Sequence, residues 1–588
     1  MANAHLRRPA ARSMGKPSVK GLSSSNRWAT LAMLEVEEVD QDDWLSKLPD
    51  VILLDIVKRL DVTDAARTSI LSRRWRQIPA MLSKIRLMVG SFEPEHDRSK
   101  LNCDDVVRAN ATVLEATRST PEEDEGNWQH DWLSNLPDGV LVNIIERLDI
   151  ADATRTSILS RRWKQIPTML SKIRVMVGST DVVQERSRDD VARANATMLG
   201  AIRSLLESRS KSPYTIHRLC MQLYLGDGSV KIGQTVAKAI ATNKVGVAEI
   251  TILTEKEGKR CMPCDVLAYG NQFASFVNAC RNTFSWLTLL KLENLRLGES
   301  DFPTLLRLCK RLEFLRLDNC DMGYMSLLAV EHLRLRELEI FRSDFERVDL
   351  NWLPELTTLT FSSWRCPHDP LSFGYVPLLH TVSISNVALS LHKILKLSEF
   401  LGKATVSNLR LGFESEKIWV QPEDPRELSP VFSKLKVVNL AAISEECDLT
   451  WTMFVLQGAP SLEELCIRVC DCTGIWDKDK RKKLVFSEER KDAGAKWEAS
   501  DFEHRNLSVL RIFGFQSEDK FLDYARAVTE AAVNLKDIYL HEKPACKVEC
   551  GYIRLQSDRY PRSEMEKVLV RSSLGMHIRP LLRLHFVL

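Results

Sequence analysis

From about residue 205 onward the apolar positions fall into one recurring pattern, Leu-x-x-Leu-x-Leu or a conservative variant of it. It appears at Leu287/Leu290/Leu292, Leu312/Leu315/Leu317, Leu335/Leu338/Ile340, Leu356/Leu359/Phe361 and Leu379/Val382/Ile384. It continues at Val406/Leu409/Leu411, Leu435/Val438/Leu440, Leu462/Leu465/Ile467, Leu507/Leu510/Ile512 and Leu535/Ile538/Leu540, with Val247/Ile250/Ile252 as an earlier, irregular instance. Most starts are roughly 21 to 29 residues apart, the length of a unit made of one strand and a return arm. Within each instance alternate side chains point one way, which predicts a short strand with a buried face. One unit cannot bury that face alone, but a stack of them buries a continuous core. The pattern therefore predicts an irregular, curved α/β solenoid. Cys309-x-x-Leu312, Ala459-Pro460-x-Leu462 and Val533-Asn534-Leu535 read as helix-to-strand turns, and Asn294 and Asn319 as the better members of an asparagine ladder. Nearly two units separate Leu462 from Leu507, and the mixed-charge runs Asp477 to Lys483 and Glu488 to Asp492 between them read as an exposed insertion. A helix is expected near Asp519 to Val533 and a last one from Tyr560-Pro561 to Val570.

The N-terminal third follows another pattern, and follows it twice. Asp43 to Ser91 recurs almost unchanged as Asp131 to Ser179: Trp44 becomes Trp132, Pro49 becomes Pro137, Trp75 becomes Trp163 and Gly90 becomes Gly178. The run from Arg67 to Trp75 is identical to that from Arg155 to Trp163. In copy one, Pro49 suits a first helical turn, where its missing N–H would be unpaired anyway. The following stretch is apolar at Val51, Ile52, Leu53, Leu54, Ile56, Val57 and Leu60. That exceeds the single stripe of a surface helix. A unit of about fifty residues has little core to cover the excess, so the second face needs a partner. A short helix over Asp64 to Leu71 and a third opened by Ser72 complete the unit. Copy two has Gly139 in place of Val51, which makes copy one the sturdier.

Leu48-Pro49, the apolar helix ending at Leu60, Ser69-Ile70-Leu71-Ser72 and Arg74-Trp75 together resemble an F-box. The resemblance implies docking onto a Skp-type adaptor, which in turn holds a cullin scaffold of a ubiquitin ligase. The positions it marks for adaptor contact are Leu48, Pro49, Ile52, Leu53, Ile56, Leu60, Leu71, Ser72 and Trp75. In copy two they are Leu136, Pro137, Val140, Leu141, Ile144, Leu148, Leu159, Ser160 and Trp163. The same apolar residues also serve to pack each unit's own helices, and both copies remain open as the binding one. The Leu-x-x-Leu-x-Leu units resemble leucine-rich repeats. The stretch from Lys496-Trp497 through Phe502, His504, Leu507 and Phe513-Gly514-Phe515 to Asn534-Leu535 and Cys546 resembles the FBD domain that closes many plant F-box/leucine-rich-repeat proteins. The implied layout is a basic tail at 1–34, F-box copies at 43–92 and 131–180, linkers at 93–130 and 181–210, the solenoid at 211–495 and an FBD-type cap at 496–588.

Composition narrows the function further. The formal net charge is +3 over 588 residues, too small to suggest non-specific nucleic-acid binding. No apolar run is long enough to span a membrane. Fourteen scattered cysteines read as reduced thiols of an intracellular protein, cytoplasmic or nuclear. Residues 1–34 carry no Asp or Glu and read as a disordered tail, a transit peptide or a weak nuclear signal. No phosphate-binding loop, HExxH or nucleophile elbow occurs. Cys261-Met262-Pro263-Cys264 lacks the second pair a zinc site would need. Cys466, Cys470 and Cys472 read as core thiols, and His504 as a hydrogen-bonding rather than a catalytic residue. The expectation is a non-catalytic interaction protein without cofactor: F-box units for the adaptor, and outward strand residues such as Glu313, Arg316, Arg336, Glu339, Lys436 and Arg511 for a target protein. The alternative is a repeat scaffold without ligase coupling.

Overall fold

The computed structural model describes residue 142; residues 169–176 and 187–208; 215–470 apart from 325, 365, 387–392, 403, 414–417 and 446; 502–542; and 559–587 apart from 576–578 and 580. Its strands are β1 (Lys172–Met176), β2 (Ile216–Tyr224), β3 (Val245–Leu253), β4 (Leu287–Glu293), β5 (Phe314–Asp318), β6 (Leu327–Glu331), β7 (Glu337–Phe341), β8 (Arg347–Trp352), β9 (Thr358–Ser362), β10 (Leu371–Tyr375), β11 (Thr381–Ser385), β12 (Asn408–Gly412), β13 (Val437–Ile443), β14 (Glu464–Val469), β15 (Val509–Phe513), β16 (Asp537–His541) and β17 (Arg583–Val587). Fourteen of them make one parallel sheet in the order β1-β2-β3-β4-β5-β7-β9-β11-β12-β13-β14-β15-β16-β17. Every instance of the repeat pattern, from Val247 to Leu540, supplies one strand of it.

The register shows why the pattern folds this way. Ile250, Leu290, Leu315, Leu338, Leu359, Val382, Leu409, Val438, Leu465, Leu510, Ile538 and Leu584 form one unbroken row across neighbouring strands. All of these up to Ile538 are buried. Each contributes about 1.5–3 kcal/mol relative to exposure. Buried residues of the helices cover this inner face. On α2 (Ser229–Ala241, after α1 at Arg188–Ser208) they are Ile232, Val236, Ala239 and Ile240, one helical stripe. The later helices are α3 (Pro263–Ala279), α4 (Arg281–Phe284), α5 (Asp301–Leu308), α6 (Leu397–Leu401), α7 (Pro425–Phe432), α8 (Met453–Gly458), α9 (Asp519–Ala531) and α10 (Glu564–Ser573). The two helices expected near the C-terminus correspond to α9 and α10. Ser563 caps α10: its Oγ accepts from the Glu566 N–H at 3.2 Å, while Glu566 accepts from the Ser563 N–H at 2.9 Å.

The turns between units are also as expected. Leu312 N–H donates to Cys309 O at 2.9 Å, and Leu462 N–H to Ala459 O at 3.0 Å. Asn294 and Asn319 form the asparagine ladder: Asn319 Nδ2 donates to Asn294 Oδ1 at 2.7 Å, and Asn294 Nδ2 to Lys256 O at 3.0 Å. Both asparagines take positive φ, 57° and 52°, a conformation Asn tolerates better than most residues.

Three features depart from the sequence reading. In the repeats between β5 and β11 the return arm is a strand, not a helix, and β6, β8 and β10 pair as a second parallel sheet in the order β10-β8-β6. These units are short, and buried Leu328, Val330, Val348 and Leu350 alternate at strand spacing. The main sheet also begins before the repeat pattern does. β1 lies inside the 131–180 segment read as the second F-box copy, because Ile173 and Val175 alternate there, are buried, and pair with β2. Finally, Cys470 is disulfide-bonded, which corrects the reading of it as a reduced core thiol; Cys466 is a free, buried thiol. Among the described residues no helix is long and apolar enough to cross a membrane.

Candidate functional site

The candidate adaptor positions, Leu48, Pro49, Ile52, Leu53, Ile56, Leu60, Leu71, Ser72 and Trp75 and their counterparts Leu136, Pro137, Val140, Leu141, Ile144, Leu148, Leu159, Ser160 and Trp163, lie outside the described residues. So does the charged insertion at 477–492. The site that the structure builds is the outer face of the main sheet, formed by the strand residues between the buried ones.

Across that face one row runs Lys291, Arg316, Glu339, Thr360, Ser383, Arg410, Asn439, Cys466, Arg511, Tyr539 and His585. Its chemistry changes along the sheet. At the β4–β7 end, charges are paired with one another. Arg316 contacts Asp318 at 3.2 Å and Glu339 at 3.5 Å, and lies 4.4 Å above the Phe341 ring. Arg342 binds the same Asp318 at 2.8 Å. Burial pushes Glu339 up, against the pull of Arg316 and Lys291. The middle is small and hydroxyl-bearing: Thr358, Thr360 and Ser362 on β9, Thr381, Ser383 and Ser385 on β11, then Gly412 on β12.

The β14–β17 end is basic and aromatic. Arg468 lies over Phe513 at 4.8 Å, and Phe513 stacks on His541 at 4.0 Å. Arg511 lies over Tyr539 at 4.2 Å and binds Glu464 at 2.7 Å, and Tyr539 stacks on His585 at 4.4 Å. Asp537 closes the edge with Arg583 at 2.7 Å and His585 at 2.8 Å, which hold its carboxyl below the usual range. Burial, and then the Arg511 and Arg468 charges, push His541 down to about 4, so its ring is neutral near pH 7.

Of the six residues expected to face a target, Arg316, Glu339 and Arg511 stand on strands of this face, and the first two are brought together. Glu313, Arg336 and Lys436 each sit one residue before a strand, Arg336 paired with Glu355 and Lys436 with Glu463. The sequence reading passed over Arg410, Arg468, Tyr539, His541 and His585, and named Phe513 only within the FBD-type resemblance. Their signal was there: each occupies an x position beside or between the apolar residues of its own repeat.

His504 is part of the scaffold. It is buried, its Nδ1 accepts from the Leu507 N–H at 3.0 Å, and its Nε2 therefore donates to Ala459 O, 2.9 Å away. His332 makes the same bridge between Arg334 N–H and Cys309 O. We expect His504→Ala to cost about 2 kcal/mol or more by stranding two buried backbone groups, read as a lower denaturant midpoint; an unchanged midpoint would contradict the bridging role. Cys261, of the CxxC pair, has its thiol pushed up to about 11, first by burial, and Cys264 is exposed.

Glu293 on β4 offers a pH test. Burial, the largest cause, raises it from 4.5 to about 7, opposed by the Thr254 N–H at 2.9 Å and aided by Asp318. Because the folded pKa lies above the unfolded one, the folded state keeps a proton the unfolded chain releases, and stability falls as pH rises between those two values. Glu293→Gln keeps an acceptor for Thr254 and removes that loss. Its melting midpoint should exceed wild type at about pH 8, with the gain fading toward about pH 4; a pH-independent gain would contradict the burial account.

The sequence model of the F-box domain matches residues 45–86 and 133–174. That of the At1g61320/AtMIF1 leucine-rich-repeat domain matches residues 244–569, more than half of the chain and across much of the segment read as an FBD-type cap. The chain is 24% identical to F-box/LRR-repeat protein At2g42720 of Arabidopsis thaliana over 466 residues, 71% of this chain and 98% of that protein. It is 22% identical to putative F-box protein At3g58860 of the same plant over 375 residues, 58% of this chain and 78% of the relative. Over 39 residues, 7% of this chain and 9% of the relative, it is 49% identical to the plant's F-box/LRR-repeat protein 13.

Proposed function

The chain belongs to the plant F-box/leucine-rich-repeat proteins, and from that membership we propose that it is the substrate-receptor subunit of a Skp–cullin–F-box ubiquitin ligase. The observation that carries this reading is the pairing of two F-box sequence matches with a long sheet whose outer face displays charged and aromatic side chains. The F-box binds the Skp-type adaptor, and through it the cullin; the sheet face binds the target. Catalysis is by proximity. The target's lysines are held near a ubiquitin-charged enzyme, which raises their effective concentration with no reactive group from this chain. We place the protein in the cytoplasm or nucleus, where that machinery works, and read 496–588 as an FBD-type cap on the repeat stack.

One observation favours a different role for the second F-box copy. Its match ends at residue 174, inside β1, so the copy runs straight into the first strand of the sheet. We therefore assign adaptor binding to copy one and a structural role at the start of the stack to copy two. Co-purification of the adaptor from cells with the full chain tests the ligase reading. Capture by wild type supports it, and a chain that brings down its target but no adaptor points to a scaffold without ligase coupling.

A further inference from the structure

The geometry points to a seat for an anionic side chain of the bound target on the sheet face between β12 and β16, held by Arg410 and Arg468 with Arg511, Asn439 and His541 around it. The inference rests on the target-receptor reading and gives the target segment its chemistry.

The contrast along the sheet motivates it. At the β4–β7 end every arginine of the face meets a carboxylate. At the other end, among the described residues, neither Arg410 nor Arg468 does, although the two lie close enough to repel. Arg410 is exposed on the face, and desolvation together with the Arg468 charge lowers its pKa. The hydrogen-bonding tally agrees. Arg468 Nε, His541 Nε2 and Asn439 Oδ1 are shielded from solvent and have no partner. Buried polar groups are rarely left so unless something else meets them. The exposed Arg410 guanidinium can donate to a carboxylate or phosphate directly, and the shielded Arg468, His541 and Asn439 groups behind it become available as the ligand seats.

The place is also open and stiff. Gly412, Ser385 and Ala441 form a row of small residues next to Arg410, whose side chain is exposed. A bulge in β13, with Ala442 at φ 52°, sits beside Arg468. Arg468 is braced on Phe513 and Phe513 on His541, which limits the side-chain freedom lost on binding. Four inter-strand steps separate β12 from β16, roughly 19 Å, which an extended segment of about six residues spans.

The test uses the full chain with its co-purified adaptor. Short arrayed peptides carry either Glu and Asp, or phosphoserine, or Gln and Asn at the same positions. Wild type should bind one or both anionic sets at least tenfold more tightly than the neutral set, and the two arms tell carboxylate from phosphate. Arg410→Gln and Arg468→Gln should each lose at least tenfold, while Lys393→Gln, away from the sheet face, keeps full binding. Arg410→Gln changes an exposed side chain and should melt with wild type, so its lost binding cannot be lost folding. Equal binding of neutral peptides, no binding at all, or indifference to both arginine substitutions would overturn the site. Adaptor capture is read in the same samples: retained capture confines such a failure to this site, and lost capture in wild type speaks against the receptor reading itself.

Discussion

Leu48→Ala combined with Pro49→Ala should weaken adaptor capture by about a hundredfold or more, while Leu136→Ala with Pro137→Ala leaves it nearly intact. Each apolar contact removed from an interface core is worth about 1.5–3 kcal/mol, and two such losses exceed two powers of ten in affinity. The asymmetry between the copies has two sources. Gly139 stands in copy two where Val51 stands in copy one, and glycine is the poorer helix former for the helical segment the sequence predicts there. Copy two also leads directly into β1, where Ile173 and Val175 are buried against the sheet. Melting curves of each double variant separate lost docking from lost folding. Equal loss from both pairs, or loss only from the second, would contradict the assignment.

Gly270→Ala should be among the most damaging single substitutions in the repeat region. Gly270 lies midway along α3, where a β-carbon would overlap the carbonyl oxygen of Arg296 and come within 2.8 Å of its carbonyl carbon. That stretch cannot give way easily: Arg296 N–H donates to Val266 O on the same helix at 3.0 Å, and its guanidinium is tied to Asp321. Helix and repeat must separate, at about 1–3 kcal/mol or more. Gly233→Ala is the comparison. Its β-carbon would meet Cys280 Sγ at 2.6 Å and the Phe276 ring at 2.8 Å, both side-chain atoms that can shift. Denaturant unfolding should rank Gly270→Ala as the more destabilising; the reverse order would mean that α3 moves freely on the sheet.

The strands were legible because burial of one face forces a period that the sequence must display. Leu287, Leu290 and Leu292 announce β4 as plainly as Leu535, Ile538 and Leu540 announce β16. The elements that escaped lack that forcing. β17 stands at the end of the sheet, and its residues Leu584 and Phe586 are only half-buried. β1 follows a segment whose helical reading was carried past it. β6, β8 and β10 have alternation, but the sequence reading assigned strands only to the Leu-x-x-Leu-x-Leu instances. Site residues were harder still. Arg410 and Arg316 look alike in sequence, each an arginine between two leucines. Only the register reveals that Arg316 stands beside Glu339 and Asp318 while Arg410 stands beside Asn439 and Ser383.

The central claim is that this chain joins an adaptor to a target, and its adaptor half can be measured with purified components. The full chain and a Skp-type adaptor would be mixed and followed by sedimentation velocity and calorimetry, alongside the variant carrying Leu48→Ala, Pro49→Ala, Leu136→Ala and Pro137→Ala together. The account predicts a stoichiometric complex for wild type, at one adaptor per chain, and none for the variant at the same concentration. A wild-type chain that stays free of the adaptor, or a variant that binds it equally well, would contradict it.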